Sequence, residues 1–304
     1  MSEIKCIYCQ SQSFVKNGSY RRRSDNRKFQ RFRCTHCHKN FSEQAFKPDY
    51  RLRRRNLDLL IFRLLAGGMA QREIARTVGV CRRSVACRVV RFGEYAKVKL
   101  KTYRDQMPKA DLILFDEMET FEHTKCKPLT MPIAVEEKTR KILSFSVGKI
   151  AAKGHLAKIS RKKYGPRPCQ RKELLNSLIK ELKTCCSQSP TIKTDLSHHY
   201  PSIIKRGWQG RAVHKTSKGR RGAVTGQGEM KKGGYDELFF LNHTYAMIRD
   251  KVKCLTRKTW CTVKRVQKFE YLVYIYIHFH NQRVEGRDRP ILIYPQLRCP
   301  VLKL

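Results

Sequence analysis

The spacing of apolar positions changes period several times along the chain. In LDLLIFRLLAGG (57–68) apolar residues at 57, 59, 60, 61, 64 and 65 follow a helical repeat that Gly67 and Gly68 end. QREIARTVGVCRRSVACRVVRF (71–92) places Ile74, Val78, Val85 and Val89 on one stripe. Ala75 is small enough for a helix crossing, and Gly79 stands where a turn is needed. This predicts a helix-turn-helix within 50–105, its second helix running from Cys81 to Phe92. Beyond residue 110 the period shortens. LILFD (112–116) is a continuous apolar run ending in an acid, the pattern of a strand buried on both faces. TMPIAVEEKTRKILSFSVGKI (130–150) predicts two strands joined by a charged turn, and TIKTD (191–195) a short strand ending at another acid. RKELLNSLIKELKTC (171–185), DELFFLNHTYAMIRDKVKCL (236–255) and FEYLVYIYIHFHN (269–281) predict helices, while 215–234 is rich in Gly and Lys with no period. Strands alternating with helices predict an α/β domain with a mixed sheet over 110–304.

Charge narrows the class of partner. The 304 residues include 66 Lys and Arg against 25 Asp and Glu, a net charge of +41. Such an excess calls for a polyanion, nucleic acid ahead of an anionic membrane. No run of about 18 apolar residues could cross a bilayer, and MSEIKCIYCQ carries no apolar signal segment. The expectation is a cytoplasmic, nucleoid-associated protein with no membrane partner.

Of the 13 cysteines, Cys6/Cys9 and Cys34/Cys37 form two CxxC pairs and the rest are scattered. In a reducing compartment that spacing suits one tetrahedral zinc, the metal replacing the core that a module of 1–45 is too short to build. Two strands joined by a basic turn at Arg21, Arg22 and Arg23 would make it a zinc ribbon; His36 and His38 flank the second knuckle as bystanders. In the helical segment, Arg72, Arg82, Arg83, Arg88 and Arg91 are the candidates for DNA contact, those on the second helix facing a groove.

The acids of LILFDEMETFE (112–122) stand out in so basic a chain. Alternation along a strand turns Asp116 and Glu117 to opposite faces. Asp195 ends a second strand after a crossover helix, so parallel neighbours would bring Asp116 and Asp195 to one sheet edge. Two carboxylates there suit a divalent cation, Mg²⁺ or Mn²⁺, held against a phosphodiester.

Taken together, CxxC…CxxC, the helices of 71–92, FDEMETF, KTDLSHHYP, GQGEMKKGGYDELFFLNHTYAMIRD and LTRKTW resemble bacterial insertion-sequence transposases of the acidic-triad (DDE) type. Those join a zinc ribbon and helix-turn-helix to a ribonuclease H-like catalytic domain. The resemblance spans nearly the whole chain. It implies Asp116 and Asp195 as the first two metal ligands, and DNA cleavage and strand transfer between terminal inverted repeats and target DNA. A homo-oligomer on DNA is implied as well. It also implies a Glu early in the helix after the last strand, with a basic residue two turns on. Here that position is Asn242, with Arg249 seven residues later. Glu229, 34 residues after Asp195, is the alternative third ligand, with Asp236 and Glu237 further candidates. A regulator that binds DNA without catalysis and a nuclease without strand transfer remain the rival functions.

Overall fold

A computed structural model describes residues 4–23, 26–46, 54–217, 236–256 and 262–286. The chain divides into two compact units, one holding the described residues up to Leu60 and the other starting at Ile61.

In the first unit, strands β1 (Phe14–Arg21), β2 (Lys28–Cys34) and β3 (Asn40–Ser42) form an antiparallel sheet in that order. Its core is Phe32 and Phe41 packed beside Cys6 and Cys34, with Phe14 edge-on to Phe32 at 5.1 Å. Four core residues are few to hold so short a sheet alone, and a metal on the cysteines would add to them.

Helix α1 (Asp58–Ala66) begins at the division, and the second unit continues with α2 (Gln71–Thr77) and α3 (Arg82–Gln106). Gly79, at φ +63°, makes the left-handed turn between α2 and α3 that a side chain would strain. The helix expected to end at Phe92 runs on to Gln106, 25 residues in all. Its apolar stripe goes on through Tyr95, Ala96 and Leu100, and no stop signal intervenes. Gly93 is where it meets the last helix: a Cβ there would lie 2.4 Å from Cβ of Tyr271.

The sheet of this unit is built from β4 (Ala110–Phe121), β5 (Pro128–Glu136), β6 (Ile142–Phe145), β7 (Gly148–Lys149), β8 (Cys186–Thr194) and β9 (Val213–Thr216). Its order is β6-β5-β4-β8-β9, with β7 paired to β5. The first three strands run antiparallel, while β8 and β9 lie parallel to β4. Numbered by chain order without the two-residue β7, this is a 3-2-1-4-5 mixed sheet, the ribonuclease H-like class expected from the sequence. Helices α4 (His155–Tyr164) and α5 (Arg171–Cys185) precede β8, and α6 (Tyr200–Gly207) precedes β9. Helices α7 (Phe239–Lys251) and α8 (Val266–Val284) follow.

Side-chain alternation on β4 feeds two cores. Leu114 and Met118 face α7, α8 and the second half of α3, while Ile113 and Phe115 face α5 and α6. Burial on both faces explains why β4 and β5 read as unbroken apolar runs. Among the described residues no helix is long and apolar enough to cross a membrane.

Candidate functional sites

The four paired cysteines meet. Cys6 and Cys37 sulfurs lie 3.6 Å apart and those of Cys9 and Cys34 3.5 Å, and all four ligand atoms fall within 4.8 Å of one another. With Zn–S bonds of about 2.3 Å the edge of a tetrahedron is roughly 3.8 Å, so the cluster fits zinc. The N–H groups of Tyr8 and Cys37 point at the sulfurs of Cys6 and Cys34, the turn each knuckle needs. Donation from the Cys37 backbone is the largest effect on the Cys34 thiol, which is pulled down, while its partner Cys9 is pushed up by burial and by the neighbouring sulfurs, so without a metal the four share their protons unequally.

The acids stand side by side where the parallel pairing of β4 and β8 ends, Asp195 just past the carboxyl end of β8 and Asp116 in the middle of β4. Leu114 lies opposite Lys193, so Asp116 and Asp195, each two residues on, stand level. Asp116 Oδ1 accepts from the Glu117 N–H at 2.7 Å and from the Tyr200 hydroxyl at 3.0 Å. Asp195 Oδ1 accepts from the Ser197 N–H at 3.0 Å. Burial is the main cause that pushes the Asp116 carboxyl up to about 6. The Glu117 N–H and Tyr200 hydrogen bonds oppose it, while the charges of Asp195 and Glu117 add to it. A cation would reverse that balance by neutralising the pair.

Glu117, on the other face of β4, is held differently. It accepts from Thr130 Oγ1 at 2.6 Å and from Arg171 Nε at 3.2 Å, and its side chain is 7% exposed. The Tyr200 hydroxyl that donates to Asp116 also reaches Glu117 Oε2 at 3.5 Å, which corrects the expectation that Glu117 is turned wholly away from Asp116. Arg171 also donates to Glu119 at 2.6 Å and to His199 Nε2 at 3.2 Å. That contact makes His199 Nε2 an acceptor, in keeping with a His199 pKa lowered first by burial and then by the His198 and Arg171 charges. Lys153 completes the group on Glu119 at 2.7 Å. The acids of β4 that have no cation beside Asp116 to bind are thus matched by Arg171 and Lys153. Neither base could be assigned from spacing, because both lie more than 30 residues from the acids they bind.

Among the described residues, the third-ligand candidates Asn242, Asp236 and Glu237 make their contacts away from Asp116 and Asp195. Asn242 is exposed in the first turn of α7 and donates to Asp236 Oδ2 at 3.0 Å; Asp236 in turn caps that helix by accepting the Leu238 N–H. Glu237 stands 3.9 Å from Lys193. The α7 residue that reaches the pair is Tyr245, whose hydroxyl donates to the backbone carbonyl of Asp116 at 2.5 Å. Glu229 lies outside the described residues. Arg249, exposed two turns beyond Asn242, lines a cavity of about 510 Å³ with Met118, Glu119 and Lys125. Among the described residues, the four cysteines are the only group of three or more metal-type side chains close enough to share an ion. Asp116 and Asp195 therefore offer two hard oxygen donors, the protein share usual for Mg²⁺, which keeps waters and substrate phosphates as its other ligands.

Of the arginines expected to face DNA, Arg72, Arg82 and Arg83 are exposed and Arg91 is half-buried. Arg88 corrects the expectation. It is 1% exposed, with Nη1 on Ser84 Oγ at 2.5 Å. Position 88 is three residues past Val85 and four before Phe92, which sets it on the core stripe of α3 rather than the groove side.

No family model matches the chain, and no curated protein matches it. Among solved structures it is similar to the Mos1 strand transfer complex, at 10% identity and TM-score 0.25 over 67% of this chain and 78% of that one. It is also similar to the catalytic domain of Mos1 mariner transposase, at 9% identity and TM-score 0.22 over 55% of this chain and 92% of that one. The Mos1 mariner paired end complex with Mn aligns at 10% identity and TM-score 0.23, over 80% and 81%. At such values neither residues nor activity pass from those proteins to this chain.

Proposed function

We propose that the chain is a DNA transposase of the acidic-triad type, which binds the inverted repeats at element ends and catalyses metal-dependent cleavage and strand transfer into target DNA. The observation that carries the reading is the register of β4 and β8, which sets Asp116 and Asp195 level where β8 ends beside β4, in a strongly basic chain. In this reading Asp116 and Asp195 hold Mg²⁺ or Mn²⁺, and the metal supplies charge neutralisation for the attacking and leaving oxygens of the phosphodiester. Tyr200 and the Glu117 N–H fix one oxygen of Asp116, leaving Oδ2 for a ligand. Tyr245 ties the backbone at Asp116 to α7, the helix that carries Asn242 and Arg249.

Residues 1–45 serve as a zinc ribbon through Cys6, Cys9, Cys34 and Cys37. The helices within 50–105 read DNA with Arg72, Arg82 and Arg83, while Arg91 and Arg249 contact the backbone. The catalytic domain covers 110–304, and the chain works as a homo-oligomer on nucleoid DNA in the cytoplasm. The third ligand is Asn242 or Glu229. One observation favours a regulator instead: the Asn242 side chain is neutral and engaged with Asp236.

A single reaction series separates the readings. The full chain is incubated with Mg²⁺ and a duplex carrying the DNA that flanks its coding sequence, with a second duplex as target. Joined product supports the transposase, nicks without joining a nuclease, and binding without nicks a regulator.

A further inference from the structure

Helix α4 has no role in the site described above, and among the described residues no acidic side chain pairs with its cations. From Lys149 to Lys172 the sequence contains no Asp or Glu. The helix itself carries Lys158, Arg161, Lys162 and Lys163, all exposed. Lys158 and Lys162 are one turn apart, a like-charge pair that weakens a helix in isolation. The favourable effect of cations at a helix carboxyl terminus accounts for Arg161, Lys162 and Lys163. It does not account for Lys158, nor for Lys125 on the neighbouring hairpin.

That hairpin joins β4 to β5, and α4 is docked on it. Ser160 is buried and donates to the Cys126 carbonyl at 2.7 Å, and Lys127 lies 4.3 Å from the centre of the Tyr164 ring. The residue just ahead of the helix, Lys153, binds Glu119, three positions along β4 from Asp116. The helix is therefore tied to β4 at Glu119 through Lys153, and to the β4–β5 hairpin through Ser160 and Tyr164.

We propose that α4 and the β4–β5 hairpin form a second DNA-binding surface, one that grips the phosphate backbone of a duplex without reading its sequence and leads it toward Asp116. It rests on the proposed function only for the premise that the partner is DNA. Its four helical cations lie on a different element from the exposed arginines Arg82 and Arg83, so the two surfaces can be removed separately. Phosphate contacts of this kind release counterions, and each adds about 0.9 to the slope of log K against log salt.

The test compares two full-length variants of equal net charge on a duplex of mixed sequence. One carries Lys158→Gln, Arg161→Gln, Lys162→Gln and Lys163→Gln. The other neutralises four exposed lysines elsewhere, Lys101, Lys180, Lys183 and Lys205. The α4 variant should lose up to roughly 3.6 from the slope, at about 0.9 per contact, while the matched variant stays near wild type. Replacing Lys158, Lys162 and Lys163 by Arg should keep the slope, and preference for the flanking sequence should survive in every variant. Equal slopes for the two neutralised variants overturn this surface alone. So does an α4 variant that loses binding to phosphatidylglycerol vesicles but not to DNA. A wild-type chain that binds no duplex overturns the surface and the proposed function together.

Discussion

The Tyr200 hydroxyl donates to Asp116 Oδ1 at 3.0 Å, from the first residue of α6 to the middle of β4. Its ring packs against Phe115 at 4.7 Å, so the hydroxyl and the ring do separable work. Tyr200→Phe keeps the ring and removes a donor that lowers the Asp116 pKa, so the carboxyl should titrate above its value of about 6. Carbon-detected NMR of the Asp carboxyls in Mg²⁺-free protein checks this, and an unmoved titration contradicts it. Because the hydroxyl also reaches Glu117 Oε2 at 3.5 Å, the variant should lose about 1–3 kcal/mol of stability, the cost of leaving buried acceptors without their donor.

Arg171 and Glu117 form a pair whose side chains are 13% and 7% exposed. Removing one partner of such a pair leaves a buried charge without compensation, at a cost of about 3–5 kcal/mol. Arg171→Met should show that loss in urea unfolding, and Arg171→Met combined with Glu117→Gln should recover part of it. Additive losses would show that the two side chains act independently.

The sulfur cluster predicts close to one equivalent of zinc in the purified full chain. Cys34→Ser should lower that content sharply and shift the circular dichroism of the ribbon strands. Full zinc content in Cys34→Ser would place the metal elsewhere.

His278 lies between the rings of Phe62 and Tyr95, at 5.9 and 5.4 Å. Burial, with the Lys99 charge as a smaller cause, lowers its pKa from 6.5 to about 4. Between those values the unfolded chain binds the proton and the folded chain does not, so stability rises with pH there and is lost on acidification. A shift of that size is worth on the order of 3 kcal/mol. His278→Leu should flatten the unfolding free energy between pH 7 and pH 4 by about that amount. Parallel curves for wild type and variant would contradict the assignment.

Periodicity read the backbone well where packing follows a local rule. The helix at Arg171–Cys185 matches its apolar stripe, and β8 ends at Thr194 just before its acid, whereas β4 runs five residues past Asp116 to Phe121, where an end at the acid was expected. Long-range matters escaped it. Helix α4 has little apolar face, and its docking depends on Ser160 and the Cys126 carbonyl, 34 residues apart. The parallel edge strand β9, four residues long and mostly exposed, carries no apolar signal of its own. Arg88 was misplaced because charge suggested the surface while helical phase put it among Val85, Val89 and Phe92. In the site, the level placement of Asp116 and Asp195 followed from crossover topology. Tyr200, Arg171 and Tyr245 did not, since each reaches β4 from a separate element across more than 50 residues.

The central claim is that Asp116 and Asp195 hold one catalytic cation, and one assay addresses it directly. Mg²⁺-dependent nicking of the flanking-DNA duplex is measured for wild type, Asp116→Asn, Asp195→Asn and Glu117→Gln, with duplex binding measured in parallel. Both Asp variants should lose nicking and keep binding, because each carboxylate serves the metal rather than the DNA. Glu117→Gln, whose side chain Arg171 holds on the opposite face of β4, should keep most of the activity. Undiminished nicking by Asp116→Asn or Asp195→Asn would contradict the account.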